Sequence, residues 1–184
     1  VLSPTLGRDI INSSLWAGIA GIVIIMIYMV VFYKKMGLVA DLALLYNAVL
    51  LFGMISLTGS ILTLPGIAGI VLTIGMTVDG NVLIFERIKE ELRLGKTPEN
   101  SIDSAFSKVV WTIFDANLTT ILAGLVLFYF GTGTVKGFAV TLIIGVIGAM
   151  FTNIVVSRAV LTGMAGSLKP HRYVKVETEG RDAR

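Results

Sequence analysis

Ile67-Ala68-Gly69-Ile70-Val71-Leu72-Thr73-Ile74-Gly75-Met76-Thr77-Val78-Asp79-Gly80-Asn81-Val82-Leu83-Ile84-Phe85 carries a single charged side chain, the carboxylate of Asp79. At about 1.5 Å of rise per residue, a helix of this length reaches nearly across a hydrocarbon core of about 30 Å. Four more apolar runs flank it, and together they give membrane helices over 15–33, 38–57, 62–94, 109–130 and 138–161. Backbone amides have no water to bond in lipid. Continuous apolar runs therefore predict helices, whereas a barrel would show short alternating strands. The composition agrees: 55% of residues are apolar, 15% are charged and the mean hydropathy is +0.87. A soluble domain has too much surface to cover for that balance. The expected fold class is an all-α integral membrane protein with five transmembrane helices.

The charges between these runs give an orientation. Lys34 and Lys35 follow the first run, and Arg87, Lys89, Arg93, Lys96 and Lys108 lie between the third and fourth. Arg158 closes the fifth, and Lys169, Arg172, Lys175, Arg181 and Arg184 follow it in a basic tail over 162–184. The opposite side has Arg8 and Lys136. By the positive-inside rule, the amino end is expected outside and the carboxyl end in the cytoplasm. Residues 1–14 then read as the end of an extracytoplasmic region. The chain opens on Val1-Leu2-Ser3-Pro4, with no signal-peptide pattern, and reads as a piece of a longer protein.

The connection after Phe85 is amphipathic. Phe85, Ile88 and Leu92 repeat at helical spacing, so the third helix should continue below the membrane as far as the helix-stopping Gly95. Thr97-Pro98-Glu99 reads as an N-cap, a first-turn proline and a first-turn acid. They start an amphipathic helix over 98–108, whose stripe of Ile102, Ala105, Phe106 and Val109 predicts a helix lying on the membrane surface.

Asp79 is the polar residue that matters most. A carboxylate near the centre of a bilayer costs roughly 2.5–3.5 kcal/mol on insertion scales. Desolvation favours its protonated form, and a reversible change of protonation is what a proton carrier needs. The plainer alternative is a buried acid held neutral by hydrogen bonds, serving helix packing alone. Asp115, six residues into the fourth run, comes out at a similar depth, either beside Asp79 or turned toward the headgroups. Asn117 and Thr120 share one face of that helix, and Asp115 and Thr119 share another. Asn47, Thr73, Thr77, Asn81, Asn153 and Ser157 are candidate interhelical hydrogen-bond partners, worth about 0.6 kcal/mol each.

Signatures of soluble enzymes are missing. The one histidine, His171, lies in the basic tail, and there is no cysteine, no phosphate-cradling glycine loop and no metal-ligand spacing. No metal, cofactor or nucleic acid is expected, and the basic tail reads as a solvated terminus beside the lipid bilayer.

The run Gly75-Met76-Thr77-Val78-Asp79-Gly80-Asn81 through Leu92 closely resembles the signature of the SecD family. Asp115-Ala116-Asn117-Leu118-Thr119-Thr120 is similar to its second motif, and Gly131-Thr132-Gly133 with Lys136-Gly137-Phe138-Ala139 to its third. Gly7-Arg8-Asp9 with Ser14-Leu15 resembles the passage into its second membrane helix. The resemblance implies one six-helix half of a resistance-nodulation-division architecture, of which this chain holds helices two to six. It implies the plasma (inner) membrane, and SecF, fused or separate, beside the SecYEG channel. It also implies proton flow coupled to movement of a translocating polypeptide, handled by extracytoplasmic domains outside this chain. Asp79 matches the family's proton-relay position, whose partner charges belong to SecF; Asp115, Asn117 and Thr120 are supporting candidates from depth and helix face. A small-molecule exporter of the same superfamily and a structural membrane scaffold are the alternatives.

Overall fold

A computed structural model describes residues 4–59 and 63–167, with side chains from residue 11 onward. The helices are α1 (Pro4–Tyr33), α2 (Lys35–Thr58), α3 (Leu64–Arg93), α4 (Pro98–Phe130), α5 (Thr134–Phe151) and the short α6 (Ser157–Gly163). A π turn over Thr152–Val156 joins α5 to α6 in one rod, Thr134–Gly163. Five helices are long and apolar enough to cross a membrane, and there is no strand among the described residues. Most of the tail over 162–184, from residue 168 on, lies outside the described residues.

α3 is the hub and packs against all four other long helices, most extensively against α5. Its buried residues recur at helical spacing, from Ile67, Ile70 and Ile74 through Val78 and Asn81 to Ile84, Ile88 and Leu92. Small residues let its neighbours close in. A Cβ on Gly145 of α5 would stand 2.6 Å from the Cβ of Thr73. α1 and α4 cover much less and keep long apolar faces outward, including Ile24, Val31, Trp111 and Leu122. Scattered outward apolar residues are what a helix facing lipid requires.

The turns follow local chemistry. α1 and α2 are joined by Lys34 alone, which takes a positive φ of 53°. A Cβ on Gly37 would collide with the Met29 carbonyl in this corner. Gly59 ends α2 in the left-handed conformation. Thr63 caps α3 by accepting from the Gly66 amide at 3.1 Å. Gly95, at φ 83°, stops the chain after α3, and Thr97 caps α4 ahead of Pro98.

The structure differs from the sequence expectation between 98 and 130. Residues 98–108 and 109–130 form one unbroken helix, because no glycine or proline lies near their junction. The stripe of Ile102, Ala105, Phe106 and Val109 is buried against protein rather than laid on a membrane surface. The segment from Ala165 to Ser167 and α6 pack on this end of α4. Arg158 adds an ion pair to Asp103 at 2.9 Å. α1 begins at Pro4, inside the stretch 1–14 that reads from sequence as the end of an extracytoplasmic region.

Beyond the apolar span, six residues past Phe85, Glu91 ties the charged end together. Its side chain is buried and meets Lys96 at 2.6 Å, Lys108 at 2.8 Å and Arg87 at 2.8 Å. One carboxylate thus joins α3, the turn after it and α4. Hydrogen bonds from Lys108 and Lys96 lead in holding its carboxyl down at about 2, against the opposing effect of burial.

Two outcomes are expected. Gly145→Val should force α5 off Thr73 and cost about 1–3 kcal/mol, read as a lower unfolding midpoint in detergent. Glu91→Gln leaves three cations crowded without their anion and should lower thermal stability. Because the folded carboxyl sits below its ordinary value of 4.5, the stability it supplies is present above that pH. It should fade as pH falls toward 2 in the parent protein, and the Gln variant should lack this dependence.

Candidate functional site

α3 carries polar residues on two faces, and the faces are treated differently. On the rear face, turned to α2 and to the α5–α6 rod, Thr73, Thr77 and Asn81 follow one another every fourth residue and are fully buried. Asn47 of α2 donates its amide to the Thr77 hydroxyl at 2.8 Å, and that hydroxyl donates back to the Thr73 carbonyl at 2.9 Å. The Asn81 amide donates to the Thr77 carbonyl at 3.1 Å and to Asn153 Oδ1 at 3.0 Å. Ser157 of α6 then donates to Asn81 Oδ1 at 2.6 Å. The six polar residues named from sequence therefore form one seam across three helices. Each bond spares a buried polar group the cost of lying unpaired in an apolar interior.

The front face holds Asp79. Its side chain is exposed in this chain and lines a groove of about 210 Å³ between α3 and α4. Met76, Asp79 and Leu83 form one wall, and Thr112, Ala116 and Asn117 form the other. Among the described residues the Asp79 carboxylate has no hydrogen-bond or ion-pair partner. Asn117 shares the groove; its amide donates to the Ile113 carbonyl at 2.7 Å, which leaves its side-chain oxygen able to accept. Arg87, Arg93 and Lys108 stand toward the charged end instead, where they border an adjoining cleft.

The other sequence candidates separate. Asp115 does not line the groove; it is exposed on the outer face of α4, in register with Trp111 and Leu122. Thr120 is half-buried and donates to the Ala116 carbonyl at 3.4 Å, one turn beyond the groove residues around Asp79. Of the four candidates, the structure brings together Asp79 and Asn117.

Two acids escaped the sequence reading. Asp41 is buried in α2, and its Oδ1 has no partner among the described residues. Its position four residues into the second apolar run was the available signal. Glu91 sits in a mixed-charge stretch, and its spacing, three residues after Ile88 and seven after Ile84, was the available signal.

Comparison with known proteins matches this architecture. The family model for the protein export membrane protein SecD/SecF, C-terminal, fits residues 1–167. The protein translocase subunit SecD of Petrotoga mobilis is 63% identical over 174 residues, covering 95% of this chain and 37% of that one. The subunit of the same name from Calditerrivibrio nitroreducens is 51% identical over 166 residues, covering 90% and 32%. The crystal structure of SecDF, a translocon-associated membrane protein from Thermus thermophilus, superposes with a TM-score of 0.86 at 46% identity. That match covers 89% of this chain and 23% of the other. The chain thus spans about a third of the length of the curated relatives it matches. With a family model covering nearly all of its length and a shared five-helix membrane fold, the chain belongs to the SecD/SecF family of protein-export membrane proteins.

Proposed function

We propose that this chain is part of an ion-driven transducer in the inner membrane that assists the translocation of secretory proteins. The observation that carries the reading is Asp79: a carboxylate within an apolar span, open to a groove, without a partner among the described residues. The structure uses hydrogen bonds to satisfy the buried rear face of the same helix, so the unpaired front is selective. A lone carboxylate at such a depth persists where it gains and loses a proton or meets a charge from a neighbouring protein. The family relationship adds the direction of the work, since the relatives are named translocase subunits.

In this reading the charged end, with Arg87, Lys89, Arg93, Lys96, Lys108 and Arg158, faces the cytoplasm. The groove between α3 and α4 is closed by the second membrane half, SecF, which supplies the opposing charges. Asp79 takes a proton from one side and releases it to the other as the two halves shift. Asn117 accepts a hydrogen bond from the protonated carboxyl or from a water between them. Asp115 and Thr120 lie too far round or along α4 for that step. Coupling to the SecYEG channel and grip on the moving polypeptide belong to regions beyond these five helices. No enzymatic step and no cofactor enters.

The test is export of a secretory protein in cells lacking the native subunit, complemented with the full-length protein carrying Asp79→Asn. Export should fall to the level of uncomplemented cells for the gradient-dependent part, while membrane abundance and co-purification of SecF stay unchanged. Normal gradient-dependent export by the variant would overturn the proton-carrier role. A loss of export in step with a loss of assembly would assign Asp79 to a scaffold instead.

A further inference from the structure

We propose that Asn153 is the positioning residue for Asp79: from its π turn it fixes the rotation of α3 and so the aim of the carboxyl into the α3–α4 groove. The proposal deepens the reading of Asp79 above and rests on it for its relevance to export.

Three observations converge on Asn153. Its side chain touches both residues that follow Asp79 in the chain. It accepts from the Asn81 amide at 3.0 Å, and a Cβ placed on Gly80 would collide with its own amide group. Asn153 is almost fully buried, so this contact is made inside the bundle, behind Asp79, not at its surface. The only residue type that leaves room for it at position 80 is the one present.

The second observation is the π turn itself. Contacts from the rod to α3 recur every fourth residue. Gly137 lies against Thr63, Thr141 against Gly69 and Gly145 against Thr73, and Asn153 and Ser157 both reach Asn81. A repeat of four drifts by about 40° per step around a regular α-helix, so a straight rod would carry its later members off α3. The wide turn over Thr152–Val156 takes more residues per turn, so Asn153 and Ser157, four apart, stay on nearly one face and both meet Asn81. Such turns are costly departures from α geometry and recur at working sites.

The third observation is that Asn81 has partners other than Asn153. Without the Asn153 amide, Asn81 still donates to the Thr77 carbonyl and accepts from Ser157. The helix therefore stays docked while one restraint on its rotation is lost. The effect should appear at Asp79 and not across the bundle.

The experiment uses the full-length protein with its SecF partner in membranes and a hydrophobic carbodiimide, which modifies protonated carboxyls. Modification at Asp79 is measured by peptide mass spectrometry relative to Asp115, which lies on the outer face of α4 and touches none of these residues. Asn153→Ala should change the Asp79-to-Asp115 ratio by about threefold or more, with both chains assembled. Gly80→Ala should change it too, by pushing the Asn153 amide away. In the Asn153→Ala background, Gly80→Ala should add little, because the group it collides with is gone. An unchanged ratio in Asn153→Ala would overturn the proposal, as would an undiminished Gly80→Ala effect in the double variant. The ratio reports the surroundings of Asp79 whether or not export needs that carboxyl. Normal export by Asp79→Asn would therefore remove the proposed function and leave this measurement standing by itself.

Discussion

A helix that carries Thr73, Thr77, Asp79 and Asn81 through hydrocarbon must hide its hydrogen-bonding groups against other helices, and the bonds to Asn47, Asn153 and Ser157 are how α3 does so. Each bond contributes modestly, about 0.6 kcal/mol on average in membrane bundles, yet the alternative of an unpaired amide in lipid is far worse. The seam therefore selects one arrangement of α2, α3 and the α5–α6 rod among the many that apolar side chains alone would tolerate. Close approach at Thr73 and Gly145 follows from the same need, since hydrogen bonds across helices require backbones to come near.

Once the rear of α3 is fixed, the front is defined by exclusion. Asp79 is two residues from both Thr77 and Asn81, which on a helix puts it about 160° from either, on the opposite side of the axis. Satisfying the seam thus turns the acid toward α4. There the groove offers Thr112, Ala116 and Asn117, small or polar side chains that do not bury the carboxyl. At the charged end Glu91 performs the reverse task. It gathers Arg87, Lys96 and Lys108 and holds α3 to α4 below the groove, where water and salt would weaken a looser pair.

Much of this was legible from residues alone. Each apolar run is long enough to span and too uniform to be anything but helix, and Gly95 and Thr97-Pro98 mark a stop and a start by local rules. The family motifs around Asp79 pointed to the same architecture that the comparisons give. The boundary at 108–109 misled because polarity changes there while the helix does not: hydropathy reports the surroundings of a segment, and backbone continuity depends on breakers. The polar members of the seam were visible, but their pairing was not. Asn153 lies within a π turn and Ser157 directly after it, and a pattern read at 3.6 residues per turn assigns such residues to the wrong faces. Direction was equally hidden for Asp115, whose depth matches Asp79 while its side chain points outward. For Glu91 the pair with Arg87 follows from i,i+4 spacing, but Lys96 and Lys108 come from outside α3 and were hidden.

The corner at Lys34 bears on how a displacement passes through such a bundle. With a single residue between α1 and α2, and the Met29 carbonyl pressed against Gly37, the two helices share one rigid bend and have no slack to part. α1 makes its main contacts with α2 and α3, and α2 in turn touches every part of the rear seam. A corner without slack makes α1 and α2 one lever: a displacement of α1 is carried into α2 and so to the helices behind α3.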